Sequence, residues 1–121
     1  MRLIHPFLII VALAAAFPVR ATETGYDERL LRLSEVLGSL HFLRNLCGDP
    51  GNQWRERMEA ILLSENPEPE RRARIIARFN RGYRAYAQGY TTCTDAAVTA
   101  IDLYMKEGEA LSRDIVARFA N

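Results

Sequence analysis

The stretch FNRGYRAYAQGYTTC, residues 79–93, is the part of the sequence around which the fold is predicted. It has the pattern of the C-terminal half of a long helix, with tyrosines on one side, arginines on another and Cys93 at its exit. The chain has one other cysteine, Cys47. A bond between Cys47 and Cys93 would join two helix ends and tie the chain into a compact bundle.

The N-terminus has the features of a secretory signal peptide. Arg2 gives a basic start, an apolar run extends from about residue 7 to residue 17, and Val19 and Ala21 are the small residues that precede a cleavage site. These features predict export to the periplasm with cleavage after about Ala21. A retained membrane anchor is the alternative, but the uninterrupted apolar run is roughly half of the ~20 residues that a transmembrane helix requires.

The chain that remains after cleavage is short and nearly neutral. It has 100 residues, which suits one domain, and we predict a flexible leader over residues 22–26 and a helical domain over residues 27–121. Fourteen basic residues face 15 acidic ones, a net charge of −1, which argues against nucleic acid as a partner. Lys106 is the only lysine among them. The arginines suit carboxylate pairing and anion recognition, although genomic base composition produces the same bias.

The two cysteines are expected to form a disulfide, because an exported chain meets an oxidising compartment. With two cysteines, Cys47–Cys93 is the single intramolecular connectivity. The bond closes a loop of 45 intervening residues, for which the chain-entropy model gives a stabilisation of about 4 kcal/mol.

Apolar periodicity predicts four helices and no strand. The helices are expected at about Asp27–Leu46, Gln53–Ser64, Pro69–Thr91 and from the N-cap Thr94 to about Ala120. The predicted fold is therefore an all-α, four-helix up-down bundle with one disulfide, preceded by a signal peptide. In that topology the first and third helices run in the same direction, so that Cys47 and Cys93 lie at one pole.

Two residues of the first helix stand out as candidate binding residues. Arg44 lies in the apolar stripe of this helix, where an unpaired charge is unfavourable. We therefore expect Arg44 to pair with a carboxylate from another helix, to extend to the solvent at the pole, or to bind a ligand or partner. His41 lies in a small or polar strip with Ser34 and Gly38, and we expect it to be partly buried and hydrogen-bonded. It is the only histidine after processing, and with both cysteines paired this predicts no metal site and no cofactor.

The third helix has two distinct sides. Its apolar side carries Tyr83, Tyr86 and Tyr90, which are expected in the core with their hydroxyls at the rim, while an aromatic ligand site is the alternative. We call the opposite side the arginine side, which consists of Arg71, Arg74, Arg78, Arg81 and Arg84. It is expected to be a solvated face of the helix, and a surface that binds anions or a partner is the alternative.

The sequence also contains carboxylates in the fourth helix that could act as an acid–base set. Asp102, Glu107 and Glu109 are the candidates. A hydrolase of the glycosidase type needs a cleft between its two carboxylates, and a bundle of ~100 residues with short loops predicts little of that kind. Solvated helix surface is the expected role.

Three blocks of the chain resemble an uncharacterised family of small exported alphaproteobacterial proteins. The blocks are LSEVLGSLHFLRNLCG (residues 33–48), WR (residues 54–55), and FNRGYR (residues 79–84) with YTTCT (residues 90–94). The likeness covers nearly all of the predicted mature chain. The family is a domain of unknown function whose two cysteines are taken to form a disulfide, so the resemblance implies export and cysteine pairing but no activity and no site residues.

These observations predict a non-catalytic binding or interaction module of the cell envelope, whose partner is an envelope protein or a periplasmic ligand. The expected contact surface is the arginine side together with the pole around Arg44. One alternative is a small anionic ligand or an envelope glycan fragment bound by Arg44, His41 and the tyrosines, Tyr90 included. The other is a small hydrolase that uses Asp102, Glu107 and Glu109.

Overall fold

The computed structural model describes the backbone of residues 21–119 and the side chains of residues 25–117. This part of the chain forms four α-helices and no β-strand, which confirms the predicted all-α fold. Residues 1–20, with nearly all of the predicted signal peptide, lie outside the described residues. The helices are α1 (Ala21–Leu46), α2 (Gln53–Glu65), α3 (Pro69–Ala87) and α4 (Asp95–Phe119).

Helix α1 is the centre of the bundle, because each of the other three helices packs against it. The backbones of α3 and α4 do not approach each other closely, and neither do those of α2 and α4. Helix α4 runs antiparallel to α1, as the ion pairs Arg29–Asp114 and Arg32–Glu107 show. The up-down connectivity is confirmed, but the helices surround a central α1 instead of forming a closed ring of four.

Helices α1 and α3 are parallel and lie in direct backbone contact. The hydroxyl of Ser34 donates a hydrogen bond to the carbonyl of Ile75 at 3.0 Å, and that of Ser39 donates to the carbonyl of Gly82 at 3.1 Å. A methyl group on Gly38 would lie 1.9 Å from the carbonyl oxygen of the α3 residue Phe79. The small and polar strip of α1 is therefore the surface through which α3 packs.

The hydrophobic core follows the apolar stripe of α1. Val36 and Leu43 are fully buried there, as the helical periodicity of the sequence predicts. The other helices contribute shorter rows that face this stripe. The buried apolar residues are Leu30, Val36, Leu37, Leu40, Leu43, Trp54, Met58, Leu62, Ile75, Phe79, Ala97 and Ile101.

Helix α1 begins six residues earlier than predicted. The predicted leader, residues 22–26, belongs to the first turns of the helix. Tyr26 packs against the core, and its hydroxyl donates to a carboxylate oxygen of Glu65 at the end of α2. The guanidinium of Arg29 donates to the carbonyl of Gly25 at 3.0 Å. The contacts of Tyr26 attach this part of α1 to α2 and the core, which the polar sequence alone does not reveal.

Helix α3 ends earlier than predicted, at Ala87 instead of Thr91. The amide of Gly89 donates to the carbonyl of Tyr86 at 3.1 Å, a step of three residues that closes the last turn. The segment that follows leads to Cys93, which bonds to Cys47 with the two Cα atoms 5.0 Å apart. The predicted disulfide is thus confirmed.

Helix α4 begins as predicted, since the hydroxyl of Thr94 accepts a hydrogen bond from the amide of Ala97 at 3.1 Å. Such a cap satisfies one of the free amides of the first turn. Across the described residues, no helix is both long enough and apolar enough to cross a membrane.

Candidate functional site

A groove lies between α2 and α4, with α1 as its floor. We call it the α2–α4 groove. It has two adjoining parts of about 490 Å³ and 350 Å³. Both parts are lined by Leu33 of α1, Arg57 and Ile61 of α2, and Ser112 of α4. Pockets for small molecules in proteins are of this size and are mostly apolar.

The groove exists because α2 and α4 both pack against α1 but do not meet each other. Leu33, Leu37 and Leu40 form the floor of its larger part. On the α4 wall, Met105 is 40% exposed and Val116 is 63% exposed, although both side chains are apolar. These walls leave an apolar channel open to solvent along the bundle.

One positive charge in the groove has no acidic partner. The guanidinium of Arg57 lies over the ring of Trp54, 5.0 Å from the ring centroid. Among the described residues it has no ion pair. The other charged residues that line the groove are paired: Lys106 with Asp102 at 2.9 Å, Glu109 with Arg113 at 3.2 Å, and Glu65 with Arg71 at 3.1 Å.

Trp54 has a buried polar group without a hydrogen-bond partner among the described residues. The residue is 5% exposed, and its Nε1–H is buried without an acceptor among the described residues. Buried indole N–H groups normally find a hydrogen-bond partner, because an unsatisfied buried donor costs about 1–3 kcal/mol. The groove therefore combines an apolar surface with a cation that has no acidic partner among the described residues, and its lining residue Trp54 has a buried donor without an acceptor.

The arginine side of α3 is largely engaged in ion pairs. Arg78 pairs with Glu35 of α1 at 2.8 Å, and Arg81 lies 3.9 Å from the same carboxylate. Arg74 pairs with Glu70 at 3.4 Å within α3. Because the side chain of Glu35 is only 16% exposed, the Arg78 pair helps to fasten α3 to α1.

Arg71 likewise joins α3 to its neighbours, because it forms ion pairs with Asp27 of α1 at 2.8 Å and with Glu65 of α2 at 3.1 Å. Arg84 is exposed, and within residues 25–117 it has no ion-pair partner. The five arginines thus differ in role, and Arg84 is the one that most resembles the free surface charge predicted for the whole side.

Reversal of the charge at Arg78 is expected to destabilise the fold. The variant Arg78→Glu places a second carboxylate beside the half-buried Glu35, and we expect a loss of about 1–2 kcal/mol in the free energy of unfolding. Urea denaturation measures it, with Arg84→Glu as the matched control. Equal stability of the two variants would show that the Arg78–Glu35 pair contributes nothing.

Arg44 finds its partner close by in the sequence. Its Nη2 lies 2.7 Å from Oδ2 of Asp49, in the turn that follows α1. The partner is therefore not a carboxylate from another helix, because the turn after Gly48 folds back towards the last turn of α1. Arg44 is half exposed near the disulfide pole, with its charge neutralised.

His41 is half buried as expected, but its predicted hydrogen bond is absent at Nδ1. The ring lies against Phe79 and Tyr83, with centroids 5.8 Å and 5.7 Å away. Nδ1 is buried and has no partner among the described residues. Burial, and next the positive charge of Arg55, lower the pKa of His41 below its ordinary value.

This lowered pKa predicts a pH dependence of stability. The unfolded chain binds a proton at His41 more readily than the folded protein, so stability is complete above about pH 6.5 and declines as the pH falls. The free energy of unfolding of His41→Gln is expected to change less between pH 7.5 and pH 5.5 than that of the wild type. Equal changes in both proteins would contradict a lowered pKa at this residue.

The tyrosines join α3 to α4 by side chains. The hydroxyls of Tyr86 and Tyr104 are hydrogen-bonded at 2.8 Å, and Tyr90 packs on Tyr86 with a centroid distance of 5.6 Å. Burial, and next the bond to Tyr104, raise the pKa of Tyr86. Tyr83 lies edge-on against Phe42 of α1 and is 37% exposed, so the prediction that it belongs to the core is wrong, whereas Tyr86 and Tyr90 are partly buried against the core. The rings of Tyr86 and Tyr104 fill the space between α3 and α4, whose backbones stay apart.

The three carboxylates of α4 each have their own cation. Glu107 forms a two-point contact with Arg32 at 2.5 Å and 2.8 Å, whereas Asp102 and Glu109 pair along their own helix with Lys106 and Arg113. Within the described part of the chain, no group of three or more histidine, cysteine or acidic residues is placed to hold a metal ion.

The α2–α4 groove, Arg57 and Trp54 were not predicted as a site. The signal in the sequence is weak. The helical periodicity of α4 predicts a buried stripe of Ala97, Ile101, Tyr104, Gly108, Leu111, Ile115 and Phe119. Met105 and Val116 lie outside this stripe although both are apolar. Arg57 follows Trp54 by three residues, which places the two on one face of α2. The width of the gap between α2 and α4 depends on tertiary packing.

Comparison with known proteins identifies the family. No curated protein and no solved structure matches the chain. The match to a family model covers residues 25–119, which include all four helices except the first four residues of α1. The chain belongs to the family described as "Protein of unknown function (DUF2385)".

Proposed function

We propose that this protein is a non-catalytic binding module of the cell envelope, and that it holds an apolar molecule in the α2–α4 groove. The observation that carries the proposal is the open apolar channel on α1, with Leu33, Leu37 and Leu40 as its floor. A concave, mostly apolar groove of this volume is a feature of ligand-binding sites.

Export to the periplasm is part of the proposal. The N-terminal residues have the composition of a signal peptide. The Cys47–Cys93 disulfide supports the same location, because structural disulfides persist in oxidising compartments and are rare in the cytosol.

A binding role is favoured over hydrolysis because the candidate catalytic carboxylates are all held in ion pairs. Asp102, Glu107 and Glu109 are held in separate ion pairs. A general acid or base needs a hydrogen-bond path to a substrate and a suitable pKa. The groove, in contrast, offers apolar area and a free guanidinium but no carboxylate without a cation.

The arginine side is less suited to the role of main docking surface. Arg74, Arg78 and Arg81 face carboxylates of this chain, so a partner would have to compete with existing pairs. We therefore place the binding surface in the groove, on the other side of α1 from the α1–α3 contact.

The proposal is tested with an uncharged fluorescent apolar probe, N-phenyl-1-naphthylamine, added to the purified protein. We expect saturable binding with an increase in probe emission. Ser112 is exposed and lines both parts of the groove, so Ser112→Trp should fill the channel and reduce the affinity at least tenfold. Ala110→Trp is the matched control on an exposed position of α4 away from the groove, and it should bind as the wild type does.

Two results would contradict the proposal. One is the absence of saturable binding of the probe by the wild type. The other is equal binding by Ser112→Trp and the wild type, which would place the probe elsewhere on the surface. Circular dichroism confirms that each variant is folded before the comparison is made.

A further inference from the structure

We propose that the ligand of the α2–α4 groove is a long-chain carboxylate whose head group binds Arg57 and whose chain lies on the floor of the groove. This inference rests on the proposed function and adds the chemical class of the ligand. It is carried by the charge balance of the groove and by the position of Arg57 within it.

The charge balance favours an anion. Lys106, Glu109 and Glu65 line the groove, and each has a partner of opposite charge. Arg57 has none among the described residues, so the groove carries one uncompensated positive charge. A ligand with one negative charge neutralises it, and a carboxylate can accept two parallel hydrogen bonds from a guanidinium.

A single carboxylate fits this charge better than a phosphate does. Arg57 supplies one positive charge, and the other charged residues that line the groove are already in ion pairs. A phosphate monoester carries about −1.5 to −2 charges near neutral pH, and Arg57 alone would leave its second charge without a cation. The groove therefore selects a monoanion.

Trp54 supports the same position for the head group. The guanidinium of Arg57 is stacked over the indole, 5.0 Å from its centroid, so oxygens bound to Arg57 lie close to Trp54. The Nε1–H of Trp54 lacks an acceptor. A small shift of this side chain towards a bound carboxylate would give the buried donor the acceptor that it lacks.

The floor of the groove provides the path for the chain. Arg57 lines both parts of the groove, and the larger part continues from Leu33 past Leu37 to Leu40. These seven steps along α1 span about 10 Å. Opposite them lies the exposed Met105 of α4. An unbranched alkyl chain that leads away from the guanidinium would cover the accessible Leu33, Ile61 and Met105, above the buried Leu37 and Leu40.

The test compares laurate with 1-dodecanol, which has the same chain length and no charge, at concentrations below the onset of micelles. Calorimetry gives the affinities, and the emission of Trp54, the single tryptophan of the chain, reports on the site. We expect laurate to bind at least tenfold more tightly than 1-dodecanol. Arg57→Gln should remove this preference, with little effect on 1-dodecanol. Arg55→Gln, on the exposed side of α2, is the control and should behave as the wild type.

Each outcome separates the two proposals. Equal affinity of the wild type and Arg57→Gln for laurate overturns the carboxylate assignment, as does tighter binding of dodecyl phosphate than of laurate. If the uncharged probe still binds in a manner that Ser112→Trp abolishes, the groove remains the binding site and only the ligand class is wrong. If neither laurate nor the probe binds, both proposals fail.

Discussion

Replacement of Gly82 by alanine is expected to lower the free energy of unfolding by about 3 kcal/mol or more. In the middle of a helix this change normally stabilises by up to about 1 kcal/mol. Here the added methyl group would lie 2.0 Å from the carbonyl oxygen of Glu35 and 3.0 Å from the amide nitrogen of Ser39. Because both are backbone atoms of α1, the two helices must move apart, and their serine hydrogen bonds must lengthen.

Gly108→Ala provides the matched control for this experiment. Gly108 also lies inside a helix, but a methyl group there would meet only a side-chain atom of Val36 at 3.4 Å. Urea or thermal denaturation of both variants should show a large loss for Gly82→Ala and a small change for Gly108→Ala. Wild-type stability of Gly82→Ala would contradict the close α1–α3 contact.

Removal of the disulfide is the second change with a large expected effect. The double variant Cys47→Ser, Cys93→Ser should lose about 2–5 kcal/mol of the free energy of unfolding, because the unfolded chain regains the freedom of a 46-residue separation. The midpoint of urea denaturation measures this loss. For a domain of ordinary stability, about 5–15 kcal/mol, it is a large fraction.

Reduction of the wild type serves as the control for the serine substitutions. Cys93 is exposed, so dithiothreitol should reach the bond, and the reduced protein should approach the stability of the double variant. If the oxidised and reduced wild-type proteins unfold at the same urea concentration, the disulfide is not a stabilising element of this fold.

The sequence was sufficient to predict the number, order and directions of the helices. The step of three and four residues between Leu30, Leu33 and Leu37 predicts the face that α1 buries, and the structure buries Leu30 and Leu37 there. The pairing of Cys47 with Cys93 followed from the count of cysteines together with the expected compartment. These features depend on local periodicity or on a single choice of partner.

The contacts between helices could not be predicted in the same way. The role of the strip of Ser34 and Gly38 is not evident from the sequence. Small residues inside a helix allow another helix to pack closely, and the sequence does not show which helix packs there. The structure assigns this strip to the contact with α3, where a methyl group on Gly38 would overlap the backbone of Phe79. The same limit applies to Arg44, whose partner in the following turn depends on the path of the chain.

The candidate site was the least predictable part. Its residues come from three helices, and no short motif joins them. The groove arises because α2 and α4 both pack against α1 without meeting each other. Arg57 appears in the sequence as one more charge on an exposed helix face, and only its position over Trp54 distinguishes it from Arg55 and the other arginines.

The most direct test of the central claim is a map of binding by nuclear magnetic resonance on ¹⁵N-labelled protein, titrated with the uncharged apolar probe. The claim predicts that the single indole Nε1–H signal, that of Trp54, shifts together with the amides of Leu37, Ile61 and Ser112. The amides around Arg78 and Arg84 should stay in place. Shifts confined to α3 or to the disulfide pole, with an unmoved indole signal, would contradict the α2–α4 groove as the binding site.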